Sequence, residues 1–161
     1  MTVSGLILDP DSNTPILILK SEEYDQVIPI WIGLLEATAI ATSLKSIHFD
    51  RPMTHDLFLN FVELTGVAIT RVEVCDIQDS TFYARIHFSS SEASFSLDAR
   101  PSDAIAIALR ADAPIFVDEM VFLKSNKADE PVHVADDSEE GQKWSEYLKN
   151  LSSDDFGKYK V

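Results

Sequence analysis

The stretch Asp98-Ala99-Arg100-Pro101-Ser102-Asp103-Ala104-Ile105-Ala106-Ile107-Ala108-Leu109-Arg110 carries a strand into a helix, and the reading of the whole chain turns on it. Upstream, Phe95 and Leu97 alternate with Ser94, Ser96 and Asp98, the two-residue period of a strand with one buried face. Asp98 therefore leaves the strand on the face opposite its hydrophobic residues. Pro101 suits the first helical position, where its fixed φ is already helical and its missing N–H would have had no partner. Ile105 and Leu109 then give the four-residue spacing of a buried helical stripe. Asp98, Arg100 and Asp103 are crowded into one corner.

Two readings of that corner follow from physical chemistry. An acid in the first turn of a helix, as Asp103 is predicted to be, gains roughly 0.3–1 kcal/mol from the helix dipole, and an arginine between two aspartates can simply pair with them. Alternatively, two carboxylates held on a rigid junction offer hard oxygen ligands to a divalent cation, with the arginine beside them for an anionic substrate.

At 161 residues and 45% hydrophobic, the chain can bury one substantial core and is short for two, so one domain with a tail is predicted. Its lone cysteine, Cys75, cannot form an internal disulfide and reads as a buried structural thiol in a strand-like segment. No apolar run approaches the ~20 residues that span a bilayer, and no secretory signal pattern opens the chain. The expectation is a soluble, cytoplasmic protein with no membrane partner. The formal net charge of −14 at pH 7 opposes a nucleic-acid role, because phosphate contacts come from clustered lysine and arginine. Residues 1–125 alone carry 18 acidic and 8 basic side chains, so the acidity is not confined to the tail. The chain has no GxxxxGK phosphate loop, GxSxG turn, HExxH pair or paired-cysteine zinc spacing, and several large enzyme classes lose support.

Along the chain, strands are predicted at 2–8, 15–20 and 27–32, forming an opening meander. Helices follow at 34–48, marked by Ile40, Leu44 and Ile47, and at 54 to about 65, marked by Leu57, Phe61 and Leu64, with Gly66 closing the second. Strands 67–77, 81–88 and 93–98 have an antiparallel, half-buried signature. A third helix at 101–112 and a short strand at 113–117 precede a loop. The fold class is α+β (mixed α/β), a largely antiparallel or mixed sheet with three main helices and a short C-terminal helix. The domain occupies 1–125, an acidic linker 126–141, and a short amphipathic helical tail 142–161, where Trp144, Leu148 and Leu151 fall at i, i+4 and i+7.

Each of the three main helices opens with an acid. Gly33 can cap the helix carrying Glu36, and Thr54 the helix carrying His55 and Asp56. If the sheet gathers these starts on one edge, Glu36, Asp56, Asp98 and Asp103 form a carboxylate cluster able to hold Mg²⁺ or Mn²⁺. Trp31 lies in a hydrophobic strand and reads as core or interface packing, while His48, His87 and His133 read as surface residues.

Val27-Ile28-Pro29-Ile30-Trp31-Ile32-Gly33 with Glu36-Ala37, then Arg51-Pro52-Met53-Thr54-His55-Asp56-Leu57, then Asp98 to Arg110, then Ala113-Pro114-Ile115, closely resemble the bifunctional nuclease domain family in the same order, over residues 1 to about 125. The resemblance implies a mixed α/β or α+β domain, a homo-oligomer with a dimer favoured, and nuclease activity toward DNA and RNA. The family's polar signature falls here on Glu36, Arg51, His55, Asp56, Asp98, Arg100, Ser102 and Asp103. For a divalent-metal-dependent nuclease, Asp56, Asp98 and Asp103, with Glu36, would take Mg²⁺ or Mn²⁺, which lowers the pKa of a bound water and stabilises charge on the scissile phosphate. Asp98, Arg100, His55 and Asp103 would form the catalytic corner, Arg100 clamping the phosphate and His55 moving the proton. The alternative is a non-catalytic homo-oligomeric interaction or regulatory module, in which Asp98, Arg100 and Asp103 form a structural salt-bridge network.

Overall fold

The computed structural model describes residues 1–24, 26–125 and, in the tail, 143, 146, 147 and 150. The expected linker 126–141 and the residues Trp144, Leu148, Leu151 and His133 lie outside the described residues.

Three strands, β1 (Thr2–Leu8), β2 (Pro15–Lys20) and β3 (Val27–Trp31), form an antiparallel sheet in the order 1-2-3. Ile16, Leu17, Ile18 and Leu19 of the central β2 are all buried. A strand covered on both faces has no reason to alternate, which is why this one reads as an unbroken apolar run. Helices α1 (Leu34–Leu44) and α2 (Thr54–Leu64) follow, then β4 (Ala68–Gln78), β5 (Thr81–Ser89), β6 (Ser94–Ala99), α3 (Pro101–Ala111), β7 (Ile115–Val117) and α4 (Glu119–Ser125). The second sheet has the order β6-β5-β4-β7. Its first three strands are antiparallel, whereas β7 runs parallel to β4 because the chain reaches it through the helical crossover α3. The fold is therefore the predicted mixed α+β class.

α3 is the hub of the helical layer. It packs on β4 and β5, and α1, which also reaches β2, and α2 each pack on α3. The nitrogen of Met1 donates to the Ile115 carbonyl at 2.9 Å and ties the start of β1 to β7. One apolar core results, from Leu17, Leu19 and Ile28 of the first sheet through Ile40 and Ile105 to Val72, Val74 and Ile86 of the second.

Four local expectations change. α1 stops at Leu44 rather than His48, because Ser46 turns into the left-handed region at φ 53°. Met53, not Thr54, caps α2, and the Asp56 carboxylate reaches back to accept the Met53 N–H at 2.9 Å. The loop expected after β7 contains α4, which buries Val121. Finally, the stripe Leu57, Phe61 and Leu64 points outward, and α2 turns Phe58 and Val62 to the core instead. Gly66, at φ +70°, closes α2 as predicted.

Candidate active site

The starts of three helices supply this site. Gly33 caps α1, with Glu36 in the first turn. A Cβ on Gly33 would collide with the Glu36 carboxylate, so glycine is what allows that carboxylate to fold back over the helix start. α2 brings His55 and Asp56. Arg100 is the cap residue of α3, Pro101 follows it, and Asp103 stands in the first turn.

Because α3 lies between α1 and α2, its start reaches both. Arg100 Nη1 donates to Glu36 Oε1 at 2.8 Å, Nε to Asp103 Oδ2 at 2.7 Å and Nη2 to Asp103 Oδ1 at 3.1 Å. This is the planar fork of a guanidinium on a carboxylate, which fixes direction as well as charge. Asp103 Oδ1 also lies 3.3 Å from His55 Nε2. The contacts Glu36–Arg100–Asp103–His55 thus join all three helices. The Arg100 side chain nevertheless remains 65% exposed. Three of its five N–H groups point inward to these acids, and two are left for an anion arriving from solvent.

The charges support one another. Hydrogen bonding and charge from Asp103, then from Glu36, raise the Arg100 guanidinium above its ordinary value. Burial pushes the Asp103 carboxyl up, but the hydrogen bonds and charges of Arg100 and His55 outweigh it and hold the group below its ordinary range. The neutral His55 tautomer that satisfies an ionised Asp103 carries its proton on Nε2 and leaves Nδ1 as an acceptor.

Two of the predicted acids lie elsewhere. Asp56 Oδ1 accepts from Arg110 Nε at 2.7 Å. Arg110 also donates to the carbonyls of Ala106 at 2.9 Å and Ala39 at 3.0 Å, so this guanidinium, 9% exposed, braces α1, α2 and α3 together. Asp98 sits opposite Arg85 on β5, whereas its neighbour Leu97 sits opposite the buried Ile86. Strand alternation therefore turns Asp98 to the sheet face away from α3 and Asp103. Arg51 is exposed and Ser102 is buried.

A divalent cation needs several carboxylate oxygens free to converge on one point. Asp103 spends both oxygens on Arg100, Asp56 spends one on Arg110 and the other on the Met53 N–H, and Glu36 gives one to Arg100. Among the described residues no group of three or more His, Cys, Asp or Glu is placed to hold a metal ion. The donor set as arranged does not fit Mg²⁺ or Mn²⁺, and positive charge at the corner comes from Arg100.

Sequence reasoning missed Arg110, whose partners lie 54 and 71 residues away and leave no local pattern. It also read His87 as a surface residue without company, whereas Nε2 lies 2.8 Å from Glu73 Oε2 and the ring is largely covered. Cross-strand neighbours of that kind cannot be seen without the register. Trp31, read as core or interface packing, is half exposed in the single chain, and its Nε1 donates to Asp9 at 2.9 Å. Cys75 is partly buried, and that burial pushes its thiol up. Among the described residues no helix is long and apolar enough to cross a membrane.

Residues 17–130 match the model of the bifunctional nuclease domain. An uncharacterized protein of Mycobacterium tuberculosis strain H37Rv is 36% identical over 159 residues, covering 96% of this chain and 95% of that protein. Bifunctional nuclease 1 of Oryza sativa subsp. japonica is 28% identical over 109 residues, 65% of this chain and 33% of the rice protein. Bifunctional nuclease 1 of Arabidopsis thaliana is 26% identical over 133 residues, 76% of this chain and 41% of the plant protein. The aligned part is thus well under half of either plant protein, while the mycobacterial relative is matched nearly end to end. With the domain model covering residues 17–130, which include the buried core from Leu17 to Val121, and a relative 36% identical over nearly the whole chain, the chain belongs to the bifunctional nuclease domain family.

Proposed function

We propose that this chain hydrolyses phosphodiester bonds in DNA or RNA at the corner formed by Glu36, His55, Arg100 and Asp103. The observation that carries the reading is Arg100: an exposed guanidinium, held rigidly by two acids beside a histidine, on a domain whose family includes plant proteins named bifunctional nucleases. Its two outward N–H groups receive the scissile phosphate and offset the charge that grows on it. His55 Nδ1 accepts a proton from the attacking water, and Asp103 stabilises the imidazolium that forms. The water oxygen bonds to phosphorus, the bond to the leaving sugar oxygen breaks, and that oxygen takes a proton from bulk water while the His55 imidazolium returns its own to solvent. Glu36 holds Arg100 in place and touches no substrate.

The test is cleavage of plasmid DNA and labelled single-stranded RNA by the purified chain in Mg²⁺, Mn²⁺ or chelator, beside Arg100→Ala and His55→Ala proteins of unchanged circular dichroism. Loss of roughly a hundredfold or more in both variants is expected, the magnitude usual for removing one preorganised charge donor. Cleavage that is equal in all three proteins would overturn the assignment. Loss of wild-type cleavage in chelator would return a divalent ion to the reaction. A second reading, a non-catalytic interaction module, is favoured by one observation: Arg100 and Arg110 already pair with Asp103, Glu36 and Asp56 as in a salt-bridge network. Absence of cleavage under every condition would favour that reading.

A further inference from the structure

Trp31 ends β3 with its side chain about half exposed, and the chemistry at the corner leaves it unused. Along β3, Ile28 and Ile30 enter the core, so alternation turns Trp31 to the other face of the sheet. Its partner across the ladder, Ile16, shares that face and is buried, which gives the indole an apolar surface to lie against. Nε1 donates to the Asp9 carboxylate at 2.9 Å, and Asp9 is itself fixed by the N–H of Asp11 and the hydroxyl of Ser12. The ring is thus held at its polar edge, with about half of its surface open to solvent.

From this ring the chain runs directly into the corner. The Ile32 N–H still bonds the Pro15 carbonyl at 2.9 Å, Ile32 belongs to the core, and Gly33 is extended at φ −74° and ψ 160°. A side chain on Gly33 would therefore point to the same side as Trp31, and the Glu36 carboxylate fills that space. The same carboxylate accepts from Arg100 Nη1 at 2.8 Å. Trp31 and the carboxylate that anchors Arg100 thus stand on one side of the chain, separated by two residues of extended backbone, ~7 Å.

On the reading that Arg100 receives a phosphate, we propose that Trp31 stacks the base of the adjoining nucleotide, so that the chain selects strands with unpaired bases. The separation is one that a single nucleotide spans between its phosphate and its base. Charge points the same way. A net charge of −14 with 13 lysines and arginines is ill suited to gripping a phosphate backbone, whereas a base is drawn to an aromatic face without any positive charge. Each stacked base raises affinity by roughly five- to a hundredfold. Asp9 meets the indole at its edge and leaves the face to the base. Inside a duplex both faces of a base are covered by its neighbours, so only an unpaired or extruded base reaches the ring.

Trp31 and Trp144 are the two tryptophans, so Trp144→Phe makes Trp31 the sole indole reporter. The probe is a single-stranded thymidine oligonucleotide with phosphorothioate linkages, which resist hydrolysis, beside an abasic strand of the same length and the duplex with its complement. The base-bearing strand is expected to quench Trp31 fluorescence, the abasic strand to leave it unchanged, and the duplex to bind at least tenfold more weakly. With one phosphate held, log K should fall with log salt at a slope near about −0.7. Trp31→Ala should weaken binding of a labelled strand roughly tenfold or more, Trp31→Phe should recover part of the loss, and Phe116→Ala, half exposed on β7 in the other sheet, should change nothing. Equal quenching by the abasic strand, equal binding of the duplex, absence of binding at millimolar strand, or Trp31→Ala of unchanged circular dichroism binding as the wild type would each overturn the proposal. Quenching by the base-bearing strand in a chain that cuts nothing would uphold the stacking site and remove hydrolysis. Single-stranded RNA cut at the full rate by Trp31→Ala would uphold hydrolysis and remove the stacking site.

Discussion

α2 and α3 are both eleven residues long, both carry an acid in the first turn and both show apolar residues at helical spacing. They differ in what covers them. α3 buries seven residues, Pro101 to Ala108 apart from Asp103, because sheet lies beneath it and helices lie on two sides. α2 buries Val62 alone and leaves Leu57, Phe61 and Leu64 in solvent. An apolar stripe states that a helix has something to bury, and only the neighbours decide whether the same chain buries it.

Stability measurements by urea unfolding can break that comparison. Ile105→Ala should cost about 2–5 kcal/mol, since Ile105 is fully buried between α3 and the sheet and its removal leaves a cavity. Leu57→Ala should cost less than about 0.5 kcal/mol at concentrations where copies are dispersed. Equal losses would show that α2 is as integrated as α3. Arg110→Ala comes next, at about 2–3 kcal/mol, because it strips the partner from the partly covered Asp56 and removes the guanidinium donors from the carbonyls of Ala39 and Ala106. The same change should loosen α2 more than α3, which hydrogen exchange would detect as faster amide exchange over 54–64.

Acid sharpens the difference further. The Asp103 carboxyl is lowered in the folded chain, so its contribution is complete above the unfolded value near ~3.9 and is lost as pH falls through the lower folded value. Asp76, drawn down to about 2 by hydrogen bonds from Gln78 and Lys124, acts in the same direction. Unfolding midpoints should therefore fall below pH 4, and Asp103→Asn should flatten part of that fall; an unaltered profile would remove the coupling of Asp103 to folding. The smallest effect expected on stability is that of Gly33→Ala, under about 1 kcal/mol, because the added Cβ meets the flexible end of Glu36 rather than backbone. Its signature should appear at Arg100 instead, as a shift of the guanidinium N–H signals in ¹⁵N NMR when Glu36 is displaced.

Local chemistry determined much of this protein from sequence alone. Period-two alternation marked β5 and β6, Pro101 and Gly66 set helix boundaries, and the apolar run at 15–20 marked a strand. These signals are legible because they depend on neighbours within a few residues. The corner was legible as composition, in that Glu36, His55, Arg100 and Asp103 could be named before their geometry was known. Tertiary structure decided which of them meet. It sent Asp98 to the opposite face through strand parity, gave Asp56 to Arg110, and left the α2 stripe facing outward, because each outcome depends on partners tens of residues away and on the packing order of α1, α3 and α2.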